Sequence, residues 1–544
     1  MRTFLLLLLS AAMCNAASGP AVGRTGMVSS SHPVATGAGI EILKRGGNAF
    51  DAAVAVAAAL NVVDPMSCGV GGFGLILVYD AKHDKVRALN ASGRIPKSAD
   101  PRVFRPPTPD YLENRRGAKT ALPPVNARAW KELSANYGSL PWASLFARAI
   151  STAEDGFALS ASIPQDVYDT LPPHAKAIYG RNGKALAKGD RLIEKDLARS
   201  LRMIAAQGPE VLHSGELARL IAAELQRHGS FVTYEDLKES RPEWWDAISI
   251  DYRGYRIATA PPPANSFTGL VRLGLMSQWN LASLGPHSID YWHRLAEVNK
   301  IGEWNRLRYA SDPDVSAVPL KLLLSAECFR DEAARIDTER ARPFIAPAAT
   351  GAESKDTTHF VVADKWGNVV SATQTIGNMF GCRVMPPGTG IWLNDSLYYS
   401  AFEPAGNPMD VHPGRRKLIS NTPVIVFKGG KPVIAIGAAG GHTIPQTVPE
   451  VLMNVIDYGM NIQQALAAPR IAFVSERNVL QVESQLPASV SQGLKARGHP
   501  VETVAGPGGI GRLHGLVLVW DAAGRLVRLE GGYDPRGGGE AKGL

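Results

Sequence analysis

Residues 356–376 read DTTHFVVADKWGNVVSATQTI. The run through Phe360, Val361 and Val362 to Asp364 is strand-like and rich in β-branched residues. Lys365-Trp366-Gly367 supplies a turn, and Val369 to Thr375 runs back as a second strand. With Trp366 at the centre, Asp364 faces Asn368, Phe360 faces Ala372, and Thr357 faces Thr375. Two hydroxyls then meet across the ladder, where opposed side chains touch. That pairing suggests a catalytic pair.

A threonine hydroxyl is a weak nucleophile and needs a base. The chain has no GxSxG elbow to mark a Ser-His-Asp triad. A second solution exists: the chain cuts itself before a threonine, and the freed α-amine becomes the base. Such an amine titrates near 7.7–8.0, so roughly a tenth is neutral at pH 7. This chemistry wants an exposed loop before the threonine, a strand after it, and oxyanion donors. The Pro-, Ala- and Ser-rich stretch 339–356 offers the loop, and the strand after Thr357 fixes the residue. Gly437-Ala438-Ala439-Gly440-Gly441-His442, between a strand at 432–436 and a helical stretch at 446–467, offers the amides. Taken locally, Thr-Thr in a strand and a glycine-rich strand-to-helix turn are also ordinary structure.

Upstream, 35–44 reads as an amphipathic helix closed by Gly46-Gly47, and Asn48 with Asp51 caps a buried Ala-rich helix. The glycines at 69, 71 and 74 spell GxGxxG, but a helix precedes them and a strand follows, the reverse of a dinucleotide-binding unit. They read as sites of close backbone packing. Residues 125–235 are mainly helical, with a helix start at Thr233, a strand at 252–258 and further helices to about Ala334. After 356 strands dominate, at 358–364, 369–375, 423–427, 432–436, 515–520 and 525–530. Helices with an antiparallel-rich sheet make a layered α+β fold.

The chain has 544 residues, 45% of them hydrophobic, and a net charge of +8 spread without a basic tail or nucleic-acid motif. Met1 to Ala17 has one charge, a short apolar run and a small-residue exit, which is the pattern of a signal peptide, so the mature protein is expected to be exported to the periplasm or secreted without a membrane span. Cys14 would leave with it, and Cys68, Cys328 and Cys382 make no disulfide scaffold. No CxxC or HExxH is present; His293 and Glu297, one turn apart, read as a surface polar pair rather than metal ligands.

Together these residues resemble the gamma-glutamyltranspeptidase (glutathione hydrolase) family of N-terminal nucleophile hydrolases. The segment from Gly37 through Asn48 to Asp51-Ala52-Ala53-Val54-Ala55 carries the likeness. So do Asp155-Gly156-Phe157, Lys195 to Ala198, Tyr252 to Tyr255 and Pro261-Pro262-Pro263. It continues through Thr357-Thr358-His359, Gly367-Asn368, Gly390-Ile391, Leu393-Asn394, Gly440-Gly441 and Asp534-Pro535-Arg536. The resemblance implies a four-layer αββα fold with an additional, largely helical region and no cofactor. It implies cleavage into a large subunit, 18–356, and a small subunit, 357–544, which stay together as partners. It makes Thr357 the nucleophile, Thr375 its orienting hydroxyl, and the Gly440 and Gly441 amides the oxyanion hole.

The family's substrate pocket is only partly matched. Ser92 stands where an arginine grips the substrate carboxylate, with Arg94 two residues on as a shifted substitute. Gly377 replaces an asparagine, Ser396 a Gln or Glu, Tyr399 the aspartate that meets the ammonium, and Ile419-Ser420 a serine pair. The 400–417 stretch reads as a shortened lid. An ammonium or carboxylate buried without its partner costs several kcal/mol. The leading expectation is therefore a self-processing amidohydrolase on a small amide substrate, its acyl specificity moved away from γ-glutamyl, as in related acylases. The alternatives are a true glutathione hydrolase or transferase, and a non-catalytic binding protein on the same fold.

Overall fold

The computed structural model describes residues 19–347, 356–417, 419–505 and 509–544. The signal segment with Cys14, and residues 348–355 of the expected linker, lie outside these. No helix among the described residues is long and apolar enough to cross a membrane.

Two seven-stranded antiparallel sheets form the centre. One runs, edge to edge, Glu540–Gly543, Gly26–Ser30, Thr358–Asp364, Val369–Thr375, Phe73–Asp80, Lys85–Asn90 and Glu243–Asp246. The other runs Ala21–Gly23, Leu526–Tyr533, Arg512–Trp520, Lys431–Ala439, Val424–Lys428, Tyr255–Thr259 and Ile248–Tyr252. Side chains alternate across each strand, and the alternation builds the layers. Val361 and Ala363 point inward to meet Ile425, Ala435 and Leu516 of the other sheet. Phe360 and Val362 point outward into a core formed with the Pro33–Lys44 and Ala49–Val63 helices. On the far side Val424 and Val426 pack under the Phe267–Met276, Ile289–Tyr309 and Ile444–Ile456 helices. Helix, sheet, sheet, helix is the expected αββα order, and the 126–239 helices extend the first core.

Local signals decide the elements. Asn48 and Asp51 form a reciprocal capping box, and all fifteen residues of the helix they start are buried. Thr233 with Asp236 does the same for Tyr234–Glu239. The glycine run packs backbone on backbone: a Cβ at Gly71 would lie 2.1 Å from the Trp392 carbonyl oxygen, and one at Gly72 2.3 Å from that of Thr375.

Three expectations are corrected. Residues 252–258 are not one strand. Arg253 and Gly254, both at positive φ, turn the chain between two paired strands. The helical stretch at 446–467 is two helices, Ile444–Ile456 and Ile462–Ala467. His293 and Glu297 are not at the surface. Both are buried, where His293 hydrogen-bonds His499 (2.9 Å) and Glu297 pairs with Lys300 (2.8 Å). A third, small sheet of Ile471–Val474, Val479–Glu483 and Val501–Val504 has strands too short to have stood out.

Candidate active site

The hairpin has the register read from its turn. Phe360 pairs with Ala372 and Thr358 with Gln374, which sets Thr357 opposite Thr375. Consecutive threonines point to opposite faces. Thr358 turns away to Ser31 (Oγ1–Oγ 2.7 Å), leaving Thr357 to face the pair position. Thr357 and Thr375 are both buried.

The two hydroxyls converge on one atom. Thr357 Oγ1 donates to the carbonyl oxygen of Asp356 (2.7 Å), and Thr375 Oγ1 donates to the same oxygen (2.8 Å). Thr375 Oγ1 in turn accepts the Gly377 N–H (2.8 Å), so its proton is directed at the carbonyl. A peptide carbonyl that receives two hydroxyl donors is polarised toward attack.

The glycine turn reaches the same place through packing between the sheets. A Cβ at Gly437 would lie 2.2 Å from the His359 ring, so only glycine admits that ring under the Lys431–Ala439 strand. His359, fully buried and hydrogen-bonded to Thr373 (2.8 Å), has its pKa pushed well below the usual range by burial. This contact holds the strand end next to the hairpin's open end. A cleft of about 640 Å³ results, lined by Asp356, Ala439, Gly440, His442, Thr443 and Arg512 among others. Gly440 and Gly441 both adopt positive φ as the strand turns into a short 3₁₀ segment that leads the Ile444–Ile456 helix. Gly441, between the lining residues Gly440 and His442, is buried.

Of the expected pocket residues, Gly377 and Tyr399 gather at Thr375. Gly377 sits at φ 101°, and a Cβ there would lie 1.6 Å from Asp395 Oδ1 and 3.3 Å from the Tyr399 hydroxyl. Asp395 was missed by the sequence reading, although Leu393-Asn394 beside it was singled out. Its carboxyl fills the space that a side chain at 377 would take, and Asn378 donates to both oxygens (3.1 and 2.7 Å). Burial pushes its pKa up to about 7. Ser396 is buried with its N–H on Asn394 (3.2 Å), and Ile419 is buried while Ser420 is half-exposed.

Arg94 does not take over the missing arginine's place. Its guanidinium pairs with Glu243 (2.8 Å) at a separate cavity of about 280 Å³, walled by Lys97, Asp236, Arg241 and Gly414. Ser92 is buried beside Pro124, and its hydroxyl has no hydrogen-bond partner among the described residues.

The gamma-glutamyltranspeptidase family model matches residues 35–544. The chain belongs to the gamma-glutamyltranspeptidase family. It is 35% identical over 537 residues to the acylase ACY 1 proenzyme of Pseudomonas sp. (strain V22), covering 94% of this chain and 95% of that one. It is 33% identical over 508 residues to the glutathione hydrolase proenzyme of Bacillus subtilis (strain 168), covering 89% and 86%. Among solved structures, a cephalosporin acylase from Bacillus halodurans superposes with a TM-score of 0.87 at 31% identity, over 99% of both chains. The chain is thus an enzyme of the N-terminal nucleophile hydrolase class, and its relatives with acylase and glutathione hydrolase names are made as proenzymes.

Proposed function

We propose that this chain is an exported, self-processing amidohydrolase that cuts itself between Asp356 and Thr357 and then hydrolyses an acyl amide other than a standard γ-glutamyl one. The observation that carries the self-cleavage is the convergence of the Thr357 and Thr375 hydroxyls on the Asp356 carbonyl oxygen. In the uncut chain Thr357 Oγ attacks the Asp356 carbonyl carbon. The peptide C–N bond breaks, its nitrogen takes a proton, and Asp356 is left as an ester on Oγ. Water hydrolyses that ester, giving an Asp356 carboxylate and a Thr357 free amine. The amine then serves as base for the same hydroxyl against substrate. Thr375 orients the nucleophile, and the Gly440 and Gly441 amides hold the developing oxyanion. The large and small fragments, 18–356 and 357–544, stay joined because each supplies hydrogen-bonded strands to both sheets.

The altered acyl group is supported by the pocket. No arginine stands at 92, Tyr399 is not acidic, and Gly377 is backed by a carboxyl whose oxygens Asn378 already occupies. The acylase relatives and the cephalosporin acylase fold favour the same reading. Release of p-nitroaniline from γ-glutamyl-p-nitroanilide and from other acyl anilides tests it. Turnover of other acyl anilides with weak γ-glutamyl activity is the expected result. Vigorous γ-glutamyl turnover inhibited by free glutamate would overturn the altered pocket and favour a glutathione hydrolase.

A further inference from the structure

The third, small sheet stands apart from the two central sheets, yet it walls the active-site cleft. Val474, Gln481, Glu502 and Val504 of that sheet, with Arg477 from its first turn, share the space of about 640 Å³ with Asp356, Gly440, Gly511 and Arg512.

Sheet register places Arg512 beside the oxyanion turn. Gly437 pairs with His514, and Ala439 with Arg512. The His359 ring of the facing sheet lies against Gly437, where a Cβ would stand 2.2 Å from it. Alternate residues share a face of a strand. A step of two residues from His359, Gly437 and His514 toward the hairpin's open end therefore brings Thr357, Ala439 and Arg512 into one layer. A Cβ on Gly440 would lie 3.0 Å from the Gly511 Cα, so the turn and the start of the Arg512 strand touch. The Arg512 stem rests on Gly537, where a Cβ would come within 2.4 Å of its Cδ.

The strand start is fixed by a buried, charge-balanced network. Arg470 pairs with Asp534 (2.7 Å), and Arg536 pairs with Asp534 (3.1 Å) and Glu483. Arg470 also donates to the Ile510 carbonyl (3.0 Å), and Asp534 accepts the Leu513 N–H (3.0 Å). Two cations meet two carboxylates, so the network holds the backbone on both sides of Arg512 without adding net charge. Across the cleft Arg477 pairs with Glu502 (2.7 Å). Asp64, at the end of the Ala49–Val63 helix, feels the Arg512 charge, yet burial holds its carboxyl above the usual range. Arg512 is thus the cation that a ligand beside the oxyanion turn meets, on a backbone that is already in place.

The chemistry decides which half of a substrate lies there. Thr357 Oγ adds to the acyl carbon and its proton passes to the α-amine. As the C–N bond breaks, the α-ammonium returns that proton to the leaving nitrogen. The leaving amine must therefore lie on the side of the Thr357 nitrogen. In the uncut chain that nitrogen is bonded to Asp356, and Asp356 lines the cleft. Among the described residues that line it, Gly377, Asp395, Ser396 and Tyr399 do not appear, so the acyl pocket beside Thr375 is a separate space.

We propose that this cleft is the subsite for the leaving amine and that Arg512 selects amines that carry a carboxylate, such as an amino acid or short peptide linked through its nitrogen. The inference rests on the amidohydrolase reading above and adds the chemical class of the leaving group. A space of this size suits a group of dipeptide dimensions, and a guanidinium matches a carboxylate through two parallel hydrogen bonds.

The test fixes the acyl group and changes only the amine. Butanoyl and γ-glutamyl p-nitroanilides are compared with the matching 3-carboxy-4-nitroanilides, on processed wild-type protein, Arg512→Gln and Arg512→Lys. The added carboxylate also alters the reactivity of the anilide, so the readout is how each variant changes the kcat/KM ratio of carboxylated to plain substrate. That ratio should fall about 10- to 100-fold in Arg512→Gln and be partly restored in Arg512→Lys. Calorimetry of 5-amino-2-nitrobenzoate and of p-nitroaniline, the two leaving amines, needs no variant and no turnover. The carboxylated amine should bind wild-type protein more tightly, and its affinity should fall as salt is raised. A ratio that Arg512→Gln leaves unchanged, or a wild-type protein that binds both amines equally, overturns the subsite. Tighter binding of 5-amino-2-nitrobenzoate without hydrolysis of any anilide supports the anion site and instead removes the amidohydrolase reading.

Discussion

Gly377→Ala tests the geometry behind Thr375 most sharply. Two costs separate in it. At φ 101° an alanine is strained by about 1–3 kcal/mol. Its Cβ would also stand 1.6 Å from Asp395 Oδ1, so the carboxyl must move. Moving it breaks the two bonds from Asn378. Losing hydrogen bonds to a buried charged acceptor adds about 2–3 kcal/mol. The single variant should therefore lose about 3–6 kcal/mol. In an Asp395→Ala background the collision is gone, and Gly377→Ala should cost only the backbone share of about 1–3 kcal/mol. Urea unfolding of the four members of the cycle, each carrying Thr357→Ala to keep a single chain, measures the coupling. A coupling of about 2–3 kcal/mol is expected. Strict additivity would refute the claim that Asp395 occupies the space beside Gly377.

Other outcomes follow from the same site. Thr375→Val keeps the shape but removes the donor to the Asp356 carbonyl, so conversion of full-length chain to fragments on a denaturing gel should slow about 10²–10³-fold; an unchanged rate would remove Thr375 from the reaction. Asp395 holds a proton up to about pH 7 in the fold, where an ordinary carboxyl loses it near pH 4. The folded form then binds the extra proton between these values, so stability falls as pH rises through this window and levels above it. Wild type relative to Asp395→Asn, again in uncut Thr357→Ala protein, should lose a few kcal/mol between pH 4 and 8, and a flat difference would place the proton elsewhere. Leu516→Ala, in the core between the sheets, should cost about 2–5 kcal/mol in urea unfolding; a cost below 1 kcal/mol would contradict the tight inter-sheet packing.

Much of this arrangement was legible because a few local rules fix it. A hairpin turn sets strand parity, so Trp366 alone placed Thr357 opposite Thr375. Asn48 with Asp51 marks a helix start by reciprocal hydrogen bonds, and the all-apolar run after it marks burial. The glycines after residue 68 were readable as close contacts because the element order excluded a nucleotide loop. Where the reading failed, non-local packing decided. His293 and Glu297 look like surface residues one turn apart, yet His499 and Lys300 pair with them inside the fold. The burial of Asp395 is reported by no spacing, since it arises where Gly377, lacking a side chain, leaves room for its carboxyl. The Tyr252 to Tyr255 segment was quoted as a landmark, but its turn was hidden by Arg253, a residue that rarely takes positive φ.

The proposed activity depends on one covalent event at Asp356–Thr357. Intact-mass analysis of purified wild-type and Thr357→Ala protein, with N-terminal sequencing of any fragments, tests it directly. The expected result is a wild-type fragment that begins at Thr357 and runs to Leu544, and an uncut Thr357→Ala chain. A fully active wild-type protein whose chain is unbroken at that bond, or a Thr357→Ala chain cut at the same place, would contradict it.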